Sequence, residues 1–182
     1  MNEDLKKELF AVVKKHYDTV LKNQPFLPGE SRVDPSGKLF DEKELMNGVE
    51  AVLDGWWTEG RFAEEFCKKL AAYVGVKHVL LTNSGSSANL LAFQTLTSKK
   101  LGDRQIKPGD EVITLAVSFP TTVTPIVQYG AVPVFVDIEK LESGQYNIDC
   151  SQLEKAISEK TKAIFIAHTL GNPFDLSKVM EI

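Results

Sequence analysis

Three short segments carry residue types that could do chemistry. The first is Ser84-Gly85-Ser86-Ser87-Ala88-Asn89. Its small residues let a backbone come close to a ligand, and the helix expected after it turns free N–H groups and a positive dipole end the same way. That suits a phosphate, and the serine hydroxyls add donors. The same residues also suit a plain helix cap with glycine for a tight turn, and the segment alone does not decide. The second is Ser118-Phe119-Pro120-Thr121-Thr122, where an aromatic at a strand end can stack on a flat ring or cover the sheet. The third is His168-Thr169-Leu170-Gly171-Asn172-Pro173. His168 suits a base, a ligand contact or a hydrogen-bonded structural position.

Other candidates carry less. Trp56-Trp57-Thr58-Glu59-Gly60-Arg61 is an aromatic pair followed by a turn, suited to core, substrate or a neighbouring subunit. His16 and His78 have no inferable partner. Cys67 and Cys150 match neither a metal-ligand spacing nor a CxxC pair. No Ser-His-Asp order, HExxH or phosphate-binding Walker loop is present, and no lysine stands out as a Schiff-base former.

These segments need a scaffold, and the hydrophobic pattern predicts one. Residues 3–21, 41–55 and 62–75 read as helices; Asp41 with Glu44 forms a capping box, and Gly55 and Gly75 act as stops. Residues 23–38 are a Pro- and Gly-rich connection. After Gly75 the pattern changes. Strands are expected at 78–81, 112–116, 132–138 and 163–168. Helices are expected at 88–96, 121–129, 151–157 and from 176 onward. Pro125 argues against a long helix within 121–129. Alternating strands and helices predict an α/β fold with a parallel sheet covered on both faces. In such folds, ligands gather beyond the carboxyl ends of the strands, where all three segments fall. Residues 1–75 read as a helical entry segment and 76–182 as the first part of an α/β domain. The last helix is about two turns long when the chain stops, and four strands are few for such a sheet, so the pattern predicts a truncated domain.

The chain has 182 residues, 43% of them hydrophobic and 25% charged, which is a globular balance. A net charge of -4 offers nothing for nucleic acid or an anionic membrane. The Lys- and Glu-rich start lacks the apolar core of a signal peptide, and no apolar run approaches the ~20 residues of a membrane span. A cytoplasmic protein is expected.

Taken together, the segments resemble a known family. The runs 82–92, 108–114 and 133–138 look like the nucleotide-sugar aminotransferases of the DegT/DnrJ/StrS type. Residues 54–56, 60–62, 118–123 and 167–172 look like its 3-dehydrase branch, which serves lipopolysaccharide dideoxysugar synthesis. The resemblance runs from about Pro25 to the end. It implies the aspartate-aminotransferase fold (fold type I, three layers), a homodimer and pyridoxamine or pyridoxal 5'-phosphate. It also implies that Gly85, Ser86 and the Ser87 amide hold the cofactor phosphate and that Phe119 stacks on the pyridine ring. The implied activity removes the 3-hydroxyl of a CDP-4-keto-6-deoxyhexose, with a [2Fe–2S] centre fed by a flavin/iron–sulfur reductase. A pyridoxal-phosphate sugar aminotransferase, which needs a downstream lysine, and a non-catalytic fragment are the alternatives. The pyridine-pairing aspartate, the histidine base and the cluster cysteines of that branch match no position here; Cys67, Cys150 and His168 do not correspond to them. The chain alone is therefore expected to be catalytically silent.

Overall fold

The computed structural model describes residues 2–22 and 25–182, so the first two residues of the expected 23–38 connection lie outside the described residues. The chain divides into two compact units, Met1–Leu80 and Leu81–Ile182.

The first unit is helical. Helix α1 spans Glu3–His16 and runs on into a π-helical turn, Tyr17–Leu21. Helix α2 spans Glu42–Leu53, opened by the expected box: the Asp41 carboxylate accepts from the Lys43 amide (2.7 Å), and Glu44 accepts from the Asp41 amide (2.7 Å). Helix α3 spans Arg61–Val74 and stops at Gly75, whose φ of 77° is the left-handed conformation that glycine adopts without strain. Tyr17 joins these pieces by donating its hydroxyl hydrogen to the Phe40 carbonyl (3.0 Å).

The second unit is α/β. Helix α4 spans Gly85–Leu96, strand β1 Glu111–Leu115, helix α5 Pro120–Tyr129 and strand β2 Val132–Val136. Strands β3 (Ile138–Lys140) and β4 (Tyr146–Ile148) follow, then the short helix α6 (Leu153–Ala156), strand β5 (Thr161–Ile164) and helix α7 (Leu176–Glu181). The main sheet has the order β2-β1-β5, with both pairings parallel. Alternate residues of β1 point to opposite faces. Val112 packs with Phe93, Ile106, Ile126 and Ala131 under α4 and α5. Ile113 and Leu115 pack with Val136, Ile148 and Leu153 on the other side. Both faces of the sheet are thus covered, which is why residues 112–115 of β1 are all buried.

Four expectations need correction. Residues 78–81 form no strand: no ladder partner exists for them among the described residues, and Leu80 is 77% exposed. The strand expected over 132–138 breaks at Asp137, and Ile138 onward turns into an antiparallel hairpin with β4. The last strand lies at Thr161–Ile164, because its register is set by β1, which places Ala163 opposite Val112 and Ile164 opposite Ile113. The helix expected from residue 88 begins three residues earlier, at Gly85.

Candidate functional site

That earlier start changes the reading of the first segment. Ser84 is extended (φ -162°, ψ 161°) and is the N-cap, so Gly85, Ser86 and Ser87 form the first helical turn rather than a separate loop. The first N–H groups of a helix have no partner within it. Here the Ser84 hydroxyl accepts from the Ser87 amide (3.2 Å), and the Ser84 carbonyl accepts from the Ala88 amide (3.0 Å). The amides of Gly85 and Ser86 have no partner among the described residues. Two donors and the positive end of a 12-residue helix therefore face outward together.

Nothing among the described residues requires glycine at position 85. Its φ lies outside the left-handed region, and a Cβ built on it would meet nothing within 4 Å. The bare backbone leaves open space at the free amides, as a ligand approaching the main chain requires.

The second segment follows β1. Phe119 is the N-cap residue of α5 and Pro120 its first helical residue, where the missing N–H costs nothing. Phe119 is 70% exposed, so the sheet-covering role considered for it is overturned. The hydroxyl oxygen of the neighbouring Ser118 is buried, with no hydrogen-bond partner among the described residues.

The starts of α4 and α5 are joined. Asn89, one turn beyond Gly85, donates from Nδ2 to Thr121 Oγ1 (3.4 Å), two residues beyond Phe119. A cleft of about 190 Å³ lies between the two helices, lined by residues that include Ser86, Ser87, Leu90, Thr121 and Thr124. Gly85 and Phe119 are not in its wall, so this cleft and the free amides with the exposed ring are neighbouring features rather than one cavity. The residue types in the sequence pointed to Gly85, Ser86, Ser87 and Phe119. Asn89 closed the same segment without a role of its own; four positions after Gly85, it falls on the same helix stripe.

The third segment serves a different purpose. His168 Nδ1 accepts from the Phe174 amide (3.3 Å), and the two rings lie 4.3 Å apart. Asn147 Nδ2 donates to the Pro173 carbonyl (2.8 Å), tying the same loop to β4. His168 thus makes a hydrogen bond of the structural kind considered for it. Within the first unit, Trp56 Nε1 donates to the Glu59 carbonyl (2.8 Å), and Arg61 reaches Asp54 (2.8 Å) and Glu50 (2.7 Å). Those two carboxylates raise the Arg61 pKa further, with the Asp54 hydrogen bond the larger cause. Cys67 lies in the first unit and Cys150 in the second, where burial pushes the thiol pKa up. No group of three or more His, Cys, Asp or Glu side chains among the described residues could hold a metal ion. No helix among them is long and apolar enough to cross a membrane.

The model of the DegT/DnrJ/EryC1/StrS aminotransferase family matches residues 40–182. The chain belongs to this family. Lipopolysaccharide biosynthesis protein RfbH of Salmonella typhimurium is 55% identical over 179 residues, covering 98% of this chain and 40% of RfbH. The dTDP-4-dehydro-2,6-dideoxy-D-glucose 3-dehydratase of Saccharopolyspora spinosa is 44% identical over 182 residues, covering 100% of this chain and 38% of that enzyme. Among solved structures, a GDP-4-keto-6-deoxymannose-3-dehydratase with a trapped PLP-glutamate geminal diamine superposes with a TM-score of 0.72 at 34% identity, covering 82% of this chain and 38% of that one. The α/β unit is thus part of the fold used by pyridoxal-phosphate-dependent sugar enzymes. The chain spans about two fifths of the length of the curated relatives it matches.

Proposed function

We propose that this chain carries the phosphate-holding and ring-stacking half of a B6 cofactor site, in an enzyme that removes the 3-hydroxyl of a CDP-4-keto-6-deoxyhexose for lipopolysaccharide dideoxysugars. One observation carries the cofactor assignment: Gly85 and Ser86 offer free amides at a helix start, and nothing among the described residues requires glycine there. The amides and the Ser86 hydroxyl would hold the phosphate. The Ser87 amide is already taken by Ser84, which narrows the phosphate set to two amides. Phe119 would cover one face of the pyridine ring. When bound, the cofactor supplies an electron sink for the sugar carbons. The residues present hold and orient it; none of them is placed as a proton-transfer group. By this reading the 182-residue chain alone does not turn over, and measurable dehydration of a CDP-4-keto sugar by it would overturn that part.

The 3-dehydrase reading is supported by the names of the relatives, whose sugars are nucleotide-linked. A sugar aminotransferase is the second reading, favoured by the family's description and distinguished by a lysine, rather than a histidine, at the base position. The 3-dehydrase reading also includes a cytoplasmic homodimer and electron supply from a reductase through a [2Fe–2S] centre. The described residues do not supply that cluster, because no group of three or more His, Cys, Asp or Glu among them could hold a metal ion.

The test is pyridoxamine 5'-phosphate titration of the full protein carrying this chain, with and without Gly85→Ala. The added methyl occupies the open space at the free amides, so affinity should fall by about tenfold or more, a loss of roughly 1.4 kcal/mol. Stability should hold or rise slightly, since alanine suits a helix better than glycine by up to ~1 kcal/mol. No binding by the native protein, or unchanged binding by the variant, would remove the assignment.

A further inference from the structure

The phosphate and ring contacts make no use of Asn89. Asn89 lies on the stripe of α4 one turn after Gly85 and is half-buried. Its amide reaches across to the Thr121 hydroxyl in the first turn of α5 (3.4 Å). This is the one side-chain hydrogen bond between the two helices among the described residues. It lies close in sequence to both ends of the proposed cofactor site. Gly85 and Ser86 precede Asn89 by four and three residues, and Phe119 precedes Thr121 by two.

Apolar packing also holds the two helices, with Thr122 and Pro125 buried near the start of α5, but it is not directional at the site-facing ends. Phe119 caps α5 without any side-chain hydrogen bond, and its own ring is exposed. The Ser84 cap is internal to α4. The apolar cluster shared by the pair contains Phe93 of α4 and Ile126 of α5. A ligand held by phosphate at one helix start and by its ring at the other feels any change in their spacing. A ligand that touches only one start does not.

We infer that Asn89 and Thr121 are positioning residues, whose hydrogen bond sets the distance between the phosphate-holding amides of α4 and the ring-stacking Phe119 of α5. The inference rests on the cofactor reading above. Neither side chain is assigned a contact with the cofactor itself.

The experiment measures two affinities on the full protein: pyridoxamine 5'-phosphate by direct titration, and inorganic phosphate by competition against it. Thr121→Val removes the hydroxyl at nearly constant shape, Thr121→Ser keeps it, and Asn89→Ala removes the donor. Losing one hydrogen bond should weaken pyridoxamine phosphate by about three- to tenfold in Thr121→Val and Asn89→Ala. The double variant should be no worse than the weaker single one, because both changes delete the same interaction. Thr121→Ser should bind as the native protein does. Inorganic phosphate, which needs only the amides of α4, should keep its affinity throughout. Should Asn89→Ala not fold, the Thr121→Val and Thr121→Ser pair decides alone. Native affinity in Thr121→Val, or equal losses for phosphate and for pyridoxamine phosphate, would overturn the inference. Absence of binding by the native protein would instead overturn the cofactor reading on which it stands.

Discussion

Residues Met1–Leu80 contain three amphipathic helices, yet every fully buried apolar side chain among the described residues lies in Leu81–Ile182. In the first unit Trp57 is 79% exposed and Tyr73 90%, and polar links are prominent. Lys6 reaches Glu50 (2.9 Å), and Arg61 bridges Glu50 and Asp54. In the second unit the sheet has apolar clusters on both faces. The same 3.6-residue periodicity is visible in both regions of the sequence. A stripe reports that a face is apolar; it does not report what covers it. Core formation follows from the strands, which gather residues far apart in sequence around β1.

The largest consequence is in stability. Phe93 is fully buried between Tyr129 and Phe165, meeting both rings edge-on. Phe93→Ala should cost about 3–5 kcal/mol through lost burial and an unfilled cavity. Tyr73→Ala should change stability by no more than roughly 0.5 kcal/mol. Urea unfolding followed by far-UV circular dichroism measures both. Comparable losses would break the contrast between the units.

A milder test uses the caps. Asp41 and Ser84 do the same job at the starts of α2 and α4, but only α4 contributes a residue to a buried cluster. Ser84→Ala should cost about 1 kcal/mol and loosen only the first turn, because Phe93 still anchors the helix. It also frees the Ser87 amide. In Asp41→Ala, amide exchange should quicken along most of α2, which has no buried residue to hold it. Equal spread of faster exchange in the two helices would show that core backing does not matter here.

Much of this was legible because it is local. The Asp41 box and the stop at Gly75 each depend on residues within one turn. The segment 78–81 has strand-forming residues, but a strand needs a partner, and its sequence contains no information about one. The β3–β4 hairpin escaped for a different reason. Each strand is three residues long, too short to show alternation, and its one signal was Gly144, at φ 83° in the turn. Within the candidate site, the sequence could not assign the capping hydroxyl among three nearby serines. Ser84 takes that role, leaving the amides of Gly85 and Ser86 free.

The smallest expected effect is in pH. In the first unit, Lys6 and then Arg61 hydrogen-bond Glu50 and hold its carboxyl below the usual range. The Lys43 amide does the same for Asp41, Lys14 for Asp18 and Lys69 for Glu65. In the second unit a comparable lowering is resolved only for Asp149, through Ser151 and Gln152. A carboxylate with a folded pKa below its unfolded value stabilises the fold above the unfolded value, about 4. That contribution is lost as pH falls through the folded value. Acidification below about pH 4 should therefore loosen the first unit before the second. The effect should be small and weaken with salt, because these groups face solvent. Both tryptophans lie in the first unit, so their fluorescence follows it specifically. Exchange of the Val112 and Ile113 amides follows the second. Loss of protection at those amides at a higher pH than the tryptophan change would mean that the buried sheet, and not the ion-paired helices, is the acid-sensitive part.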